Sequence, residues 1–313
     1  MPFKSSIFRV AGLSGLIFLG LLGVASAQLA AQVGFRLNAG TEPRFCSLVQ
    51  PSQGNNRAPT DAEILGSYNA QARMVRSLHM EAMMRAAAAT AYGMGDKARE
   101  IPVSVDFAQP DFLRVTGALP FMSSRGFEFT SDGREFRLLV PDHGKRILVV
   151  GPVDAAAQMQ DQREDLRPQP LIDALRWQEG QLRSGAAANG QPNIRELEIT
   201  LPATRKGPRT GRIRFDLVHR EIDSLAVYDA AGRLVSEISY SDWQEAGASP
   251  GHPAEGCLPK HIRLVQSDRH FEISLRAYQT VLNPQIPRTS FHLLAPKGIS
   301  TVSLDESGKV HHH

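Results

Sequence analysis

From Leu78 onward the chain alternates apolar and polar positions with a period of two. Leu78, Met80, Ala82 and Met84 alternate with His79, Glu81, Met83 and Arg85, which predicts a strand with one face towards a core. "IPVSVDF" and "FLRVTG" flank the turn "AQPD" and predict a hairpin. "FEFTSDGREFRLLVPDHGKRILVV", Phe127 to Val150, predicts three antiparallel strands joined at Asp132-Gly133 and at "PDHG". In that meander Phe127, Phe129, Phe136, Leu138, Val140, Ile147 and Val149 step along one face.

Two segments carry a helical period instead. In "PTDAEILGSYNAQARMVRSL", Thr60 and Glu63 have the spacing at which each side chain satisfies an orphan backbone donor. Ile64, Leu65, Tyr68, Ala72 and Val75 then form one apolar stripe, with Arg73 and Arg76 off it. In "RPQPLIDALRWQEGQL", Leu171, Leu175 and Leu182 share a face with Ile172 alongside, and Gly180 reads as the end. Strands resume at "IRELEITL", "GRIRFDLVH", "SLAVYDAAGRLVSEISYSDW", "KHIRLVQSDRHFEISLRAYQTVL" and "FHLL". The pattern predicts a mainly β (α+β) fold of about 11–12 strands. A sheet of that size must curl or close, because two short helices cannot cover it flat.

The N-terminus adds a different signal. "MPFKSSIFRVAGLSGLIFLGLLGVASAQ" has a positive start, an apolar run from Val10 to Val24 and small residues around Ser26, so residues 1–27 read as a secretory leader cleaved after Ala27. The run is shorter than the roughly 20 residues that span a bilayer, which disfavours a retained anchor. Residues 28–59, rich in Gly, Pro, Gln and Asn, read as a flexible arm; residues 60–304 as the folded domain; residues 305–313 as a tail. His311, His312 and His313 read as the remnant of a tag or as a natural end, and carry no functional expectation.

Composition excludes more than it assigns. Hydrophobic residues are 42% and charged residues 21%, enough apolar material for a sizeable core. Of the formal +3, Lys4 and Arg9 lie in the leader, leaving +1, which is no footprint for nucleic acid or an anionic surface. Cys46 and Cys257 are the two cysteines; in an oxidising compartment they form one disulfide or stay two thiols, and the sequence leaves both open.

Catalytic signatures are missing. "GMGD" at Gly93 to Asp96 lacks a third glycine and a following helix, so it is a loop and not a phosphate cradle. The one G-x-S-x-G after the leader, Gly247 to Gly251, lies between two predicted strands and opens no helix, so no nucleophile elbow is proposed. His79, His143, His219, His252, His261, His270 and His292 stand singly, without metal-ligand spacing. The acids of "DQREDLR" precede a helix, where its positive end explains them. No metal or cofactor is expected. The balance moves towards a binding module, for which a shaped apolar cavity suffices.

Several stretches, in this order, resemble the LolA/LolB-like outer-membrane lipoprotein-sorting family, and more narrowly its exported, acidobacterial-type members: "YNAQARMVRSL", "PDFLRVTGALP", the Phe127–Val150 meander running into "GP", "LRPQPLIDALRW" and "LNPQIPRTSFHLLAPKG". The resemblance covers most of Ser67 to Leu304. It implies a strongly curved antiparallel half-barrel with two short helices on its concave side, holding acyl chains between sheet and helices. On that reading Phe127, Phe129, Phe136 and Leu138 face the cavity, opposite Tyr68, Leu171, Leu175 and Trp177. Related sequences often carry a lipidated cysteine just after the leader. Cys46 lies well beyond the expected cleavage point, which favours a soluble periplasmic form over an anchored one.

The expected function is therefore non-catalytic: a monomeric periplasmic carrier of lipoprotein acyl chains or another amphiphilic lipid. The alternative is a structural or sensing envelope module of the same fold that binds a protein partner. An envelope hydrolase without a recognised motif ranks last.

Overall fold

The computed structural model describes residues 46, 48–49, 57–88, 100–117, 126–142, 145–153, 168–187, 190–204, 207–246, 256–266, 271–305 and 310–312. The expected leader, most of the arm, "GMGD", "DQREDLR", His143, His252 and His270 lie outside the described residues.

The first helix, α1 (Asp61–Met74), starts where the spacing predicts. The Glu63 amide donates to the Thr60 hydroxyl at 3.3 Å, and the Thr60 amide donates to the Glu63 carboxylate at 2.8 Å. Ile64, Tyr68, Ala72 and Val75 are buried, and Leu65 is half-buried. Six strands follow: β1 (Ser77–Ala88), β2 (Glu100–Ala108), β3 (Phe112–Gly117), β4 (Phe127–Asp132), β5 (Glu135–Asp142) and β6 (Lys145–Pro152). After the second helix, α2 (Pro168–Leu175), come β7 (Gln181–Ala187), β8 (Ile194–Thr204), β9 (Gly207–Asp216), β10 (Glu221–Tyr228), β11 (Leu234–Ala246), β12 (Gly256–Gln266), β13 (Phe271–Leu282), β14 (Ser300–Leu304) and β15 (Val310–His312).

All of these strands form one sheet, in the order β15-β14-β6-β5-β4-β3-β2-β1-β13-β12-β11-β10-β9-β8-β7. Two antiparallel meanders, β1 to β6 and β7 to β13, join where β1 pairs with β13. Only β14 runs parallel to its neighbour, β6. The Asp132-Gly133 turn takes the form its residues suggest: Gly133 has φ +83°, and the Asp132 carboxylate accepts from the Arg134 and Glu135 amides at 2.9 and 2.8 Å. Phe129 faces Leu138, which faces Val149, and Val140 faces Ile147, so the predicted face is a single face.

Two neighbouring side chains show how far the sheet curls. Asp173, on α2, pairs with Arg209 of β9; Arg176, just after α2, pairs with Asp111 at the start of β3. On a helix, residues three apart have Cβ atoms about 5–6 Å apart. In the sheet β3 and β9 are seven strand spacings apart, about 34 Å if flat. Side chains of this length do not bridge that difference, so the sheet is bent round the helices. It stays open, with β7 and β15 at its two edges.

The structure corrects the expected strand count and two assignments. Fifteen strands are present among the described residues, against an expected 11–12. Leu182 is not on the second helix. That helix stops at Leu175, and Leu182 lies 41% exposed on β7, the edge strand the helical reading concealed. Asn69 of α1 draws the chain out of the helix: its side chain donates to the Gly180 carbonyl at 3.0 Å and accepts from the Gly180 amide at 2.9 Å. A Cβ at Gly180 would stand 2.6 Å from Ile199 Cδ1, so any larger residue there has to displace the Ile199 side chain. "FHLL" is not a strand either. A 3-10 turn, Arg288–Phe291, buries Phe291 against Phe112, with ring centroids 5.4 Å apart. Beyond it Leu293 packs on Leu139 and Leu148, covering the second face of β5 and β6. The consecutive Leu138 and Leu139 belong to opposite faces, both covered. β14 and β15, which the alternation pattern missed, complete that edge.

Cys46 and Cys257 form a disulfide across 211 residues of sequence, tying the arm to β12. Replacing both by serine should cost about 2–5 kcal/mol, read as a lower urea midpoint; an unchanged midpoint would show that the crosslink does not constrain the unfolded chain. Acid should release the α1 cap. The Glu63 carboxyl is pushed down from 4.5 to about 2, first by the Arg57 side chain and then by the Thr60 amide and hydroxyl. Because its folded value lies below its unfolded one, the cap's contribution is full above pH 4.5 and lost as pH falls towards 2. An NMR titration of Glu63 should show that low midpoint; a value near 4.5 would contradict the cap.

Candidate functional site

The concave face of the sheet and the inner faces of α1 and α2 enclose one apolar cluster. Tyr68, Phe129, Phe136, Leu138, Leu171, Leu175 and Trp177 are all buried members of it, and Phe127 packs against it half-buried. Within that cluster they fall into two groups. Phe129 and Phe136 stack on each other with centroids 6.1 Å apart. Tyr68 and Trp177 meet at 5.8 Å, in an aromatic cage whose other walls sequence reasoning missed: Tyr240 and Trp243. Trp177 is the hub, 4.7 Å from Tyr240 and 5.5 Å from Trp243. The Trp243 indole donates to the Ile222 carbonyl at 3.1 Å, which fixes the cage to β10. Period-two spacing on β11 puts Tyr240 inward, and a bulge-like step places Trp243 there too, since Asp242 between them has φ +56°. Alternation alone would have sent Trp243 outward.

A small cavity lies beside the cage, under α2. Its volume is about 10 Å³, room for at most one water. Its lining is apolar throughout: Val75, Leu78, Met80, Ala174, Leu175, Trp177, Leu258, Pro259 and Ile262. It follows the seam between α2, the end of α1, β1 and β12.

At the opposite side of the cage the interior is polar. The Arg209 guanidinium donates to Asp173 Oδ2 at 3.1 Å and to Gln178 Oε1 at 2.7 Å, and the Gln178 amide donates to Asp173 Oδ1 at 3.0 Å. The Arg209 and Asp173 side chains are 11% and 8% exposed, so this is a buried ion pair. Two donors at this pole have no hydrogen-bond partner: the Tyr68 hydroxyl and Arg209 Nε. Burial raises the Tyr68 pKa; the Gln178 backbone N–H opposes the shift, Asp173 adds to it and Arg209 lowers it. The phenol is therefore neutral and able to donate. The Tyr240 hydroxyl, also raised by burial, donates to the Ala174 carbonyl at 3.4 Å.

Both helices are tied to the sheet. α1 is sewn to the sheet along its length: Asp61 accepts from Arg195 of β8 at 2.6 Å, Gln71 donates to the Cys257 carbonyl at 2.5 Å, and Gln109 and Asn283 donate to the carbonyls of Val75 and Met74 at 2.8 and 3.0 Å. Among the described residues, α2 and the residues just after it are tied by the Asp173–Arg209–Gln178 triangle, by Arg176 on Asp111 and by Tyr240 on Ala174.

Elsewhere, His79, His219 and His261 each stand beside a carboxylate near the surface, Asp106, Asp216 and Asp242 respectively. Among the described residues no group of three His, Cys, Asp or Glu side chains could hold a metal ion. Among them too, no helix is long and apolar enough to cross a membrane.

No protein-family model matches the chain. No curated protein matches it either. Among solved structures, it is similar to a DUF1329 family protein from Desulfovibrio piger, at 13% identity over 75% of this chain and 98% of that one, TM-score 0.47. It is also similar to a LolA superfamily protein from Nitrosomonas europaea, at 16% identity over 75% and 99% of the two chains, TM-score 0.45. A third is an outer membrane lipoprotein-sorting protein domain from Vibrio parahaemolyticus, at 11% identity over 73% and 94%, TM-score 0.43. Likenesses this distant assign neither a ligand nor a partner, and the function is read from this chain's own geometry.

The buried pair sets a double-mutant test. Asp173→Ala leaves the Arg209 charge buried without its partner and should cost about 3–5 kcal/mol in urea unfolding. Asp173→Leu combined with Arg209→Met should recover most of that loss, since an apolar pair of similar size avoids the desolvation penalty. Equal destabilisation by both variants would mean that the cluster is not desolvated.

Proposed function

We propose that this protein is a non-catalytic periplasmic carrier that takes an acyl chain, or a similar amphiphile, between α2 and the concave face of the sheet. The observation that carries the reading is the seam under α2, an apolar cavity already present at about 10 Å³ and continuous with the aromatic cage. An acyl chain needs far more room, so entry requires α2 to move outward. Affinity comes from apolar burial, about 25 cal/mol for each Å² removed from water, offset by the cost of ordering the chain. Tyr68, Phe127, Phe129, Phe136, Leu138, Leu171, Leu175 and Trp177 are the proposed lining. The leader read from residues 1–27 supports export.

The same small volume favours a second reading. A permanently filled interior suits an envelope module that binds a protein through a free sheet edge, such as β7, where Gln181 to Gly185 are exposed.

Intrinsic fluorescence separates the two. Trp177 and Trp243, the two tryptophans of the chain, stand 5.5 Å apart in the cage. A brominated stearoyl chain entering the seam should quench their emission saturably. No quenching, with circular dichroism unchanged, would remove the carrier reading and leave the filled module.

A further inference from the structure

One wall of the seam is held by the sheet on one side only. β12 pairs with β13 from Gln266–Phe271 as far as His261–Arg276, and among the described residues the ladder ends there, although both strands run on. Two local causes end it. Pro259 has no N–H to give to a neighbouring strand. On β13 the register with β1 slips between Glu81 and Ala82, which leaves Tyr278 as the extra residue of a bulge, 60% exposed. The first residues of β12, Gly256 to Pro259, therefore pair with β11 alone among the described residues.

That short stretch is also cavity wall. Leu258 and Pro259 line the seam together with Leu78 and Met80 of β1 and with Trp177 beyond α2. In place of β13, parts outside the sheet hold it. The Gln71 side chain of α1 donates to the Cys257 carbonyl at 2.5 Å, and Met74 Sδ occupies the space that a Cβ on Gly256 would need. The covalent tie is the Cys46–Cys257 disulfide, whose two cysteines are half-buried and so still open to a small reductant. Cys46 is itself moored: two residues on, the Leu48 amide donates to the Arg220 carbonyl at 3.1 Å, and Val49 is buried in the core. The crosslink thus fastens a one-sided stretch of wall to the arm, and through the arm to the β9–β10 turn.

Resting on the carrier reading above, we infer that the Cys46–Cys257 disulfide is a redox-sensitive latch on the seam. Oxidised, it holds the start of β12 against α1 and keeps the seam narrow. Reduced, it frees that wall to move, and the seam takes up a chain more readily. The chemistry needs a dithiol reductant. One of its thiolates attacks a sulfur of the protein disulfide, forming a mixed disulfide, and the other cysteine leaves as a thiolate. The second thiol of the reductant then displaces the remaining cysteine and closes its own disulfide, so two electrons pass to the protein. Exchange with an oxidised partner of the same class restores the latch.

The test follows quenching of tryptophan emission by dibromostearate in stopped flow, on the full chain before and after dithiothreitol. Reduction should speed uptake roughly ten-fold, since the constraint of a crosslink falls only in part on this local motion. Reoxidation of the same sample should restore the slow rate. Cys46→Ser combined with Cys257→Ser should take up the probe at the fast rate whatever the redox state. Amide exchange locates the effect: Leu258 and Lys260 should exchange faster on reduction, while Leu197 and Ile199 of β8 keep their rates. Gln71→Met loses the hydrogen bond but keeps the crosslink, and should quicken uptake by a smaller factor; if the reduced protein unfolds, this variant decides. Equal or slower uptake in the loosened forms, or a rise in exchange spread evenly over the sheet, overturns the latch and leaves the carrier reading standing. If no form is quenched and circular dichroism is unchanged, the carrier reading fails, and the latch with it.

Discussion

One helical turn holds both halves of this sheet. Asp173 and Arg176, three residues apart, grip β9 on one side and the start of β3 on the other. Strands that would lie about 34 Å apart in a flat sheet are brought to opposite sides of a single short helix. That grip marks the curvature of a sheet whose two halves are joined by the β1–β13 pairing. The aromatic cage lies next to it: Trp177 is the residue immediately after Arg176, and it is carried into the middle of the concave face against Tyr68, Tyr240 and Trp243.

A buried ion pair is a poor choice if stability is all that matters, because apolar side chains of the same size would do as well or better. Its presence at the junction of α2 and β9 makes that junction specific, since Asp173 can satisfy Arg209 and Gln178 together in only one seating of the helix. It also concentrates polar groups in one place beneath α2, opposite the apolar seam.

The convex side is treated differently. There the segment after β13 runs over β5 and β6, burying Phe291 on Phe112 and Leu293 on Leu139 and Leu148, before β14 joins the edge. That part of the sheet is thereby covered on both faces. The other closure is covalent, the Cys46–Cys257 disulfide that fastens the arm beside the end of α1.

Much of the architecture was legible as pattern. Thr60 and Glu63 announced the start of α1; Leu78, Met80, Ala82 and Met84 announced β1; and Phe129, Leu138 and Val149 were placed on one face by alternation alone. These are local properties, set by helical and strand periods and by turn chemistry. What sequence could not decide are the outcomes that depend on a distant partner. The end of α2 is set by Asn69 capping Gly180 from another helix, so Leu182, apolar and in helical phase, became an exposed edge residue. "FHLL" has strand composition, yet Phe291 finds a better place over Phe112 than in a ladder. Tyr240 and Trp243 joined the site because β11 changes phase at Asp242. Arg209 was not singled out by any local pattern, and only the curling of the sheet brought Asp173 and Gln178 to it. The chain alone determined which segments are strands and helices and which of their faces are apolar, because those follow from neighbours along the backbone. Which polar groups end up buried together was decided by the closing of the sheet, because that contact joins residues no local period relates.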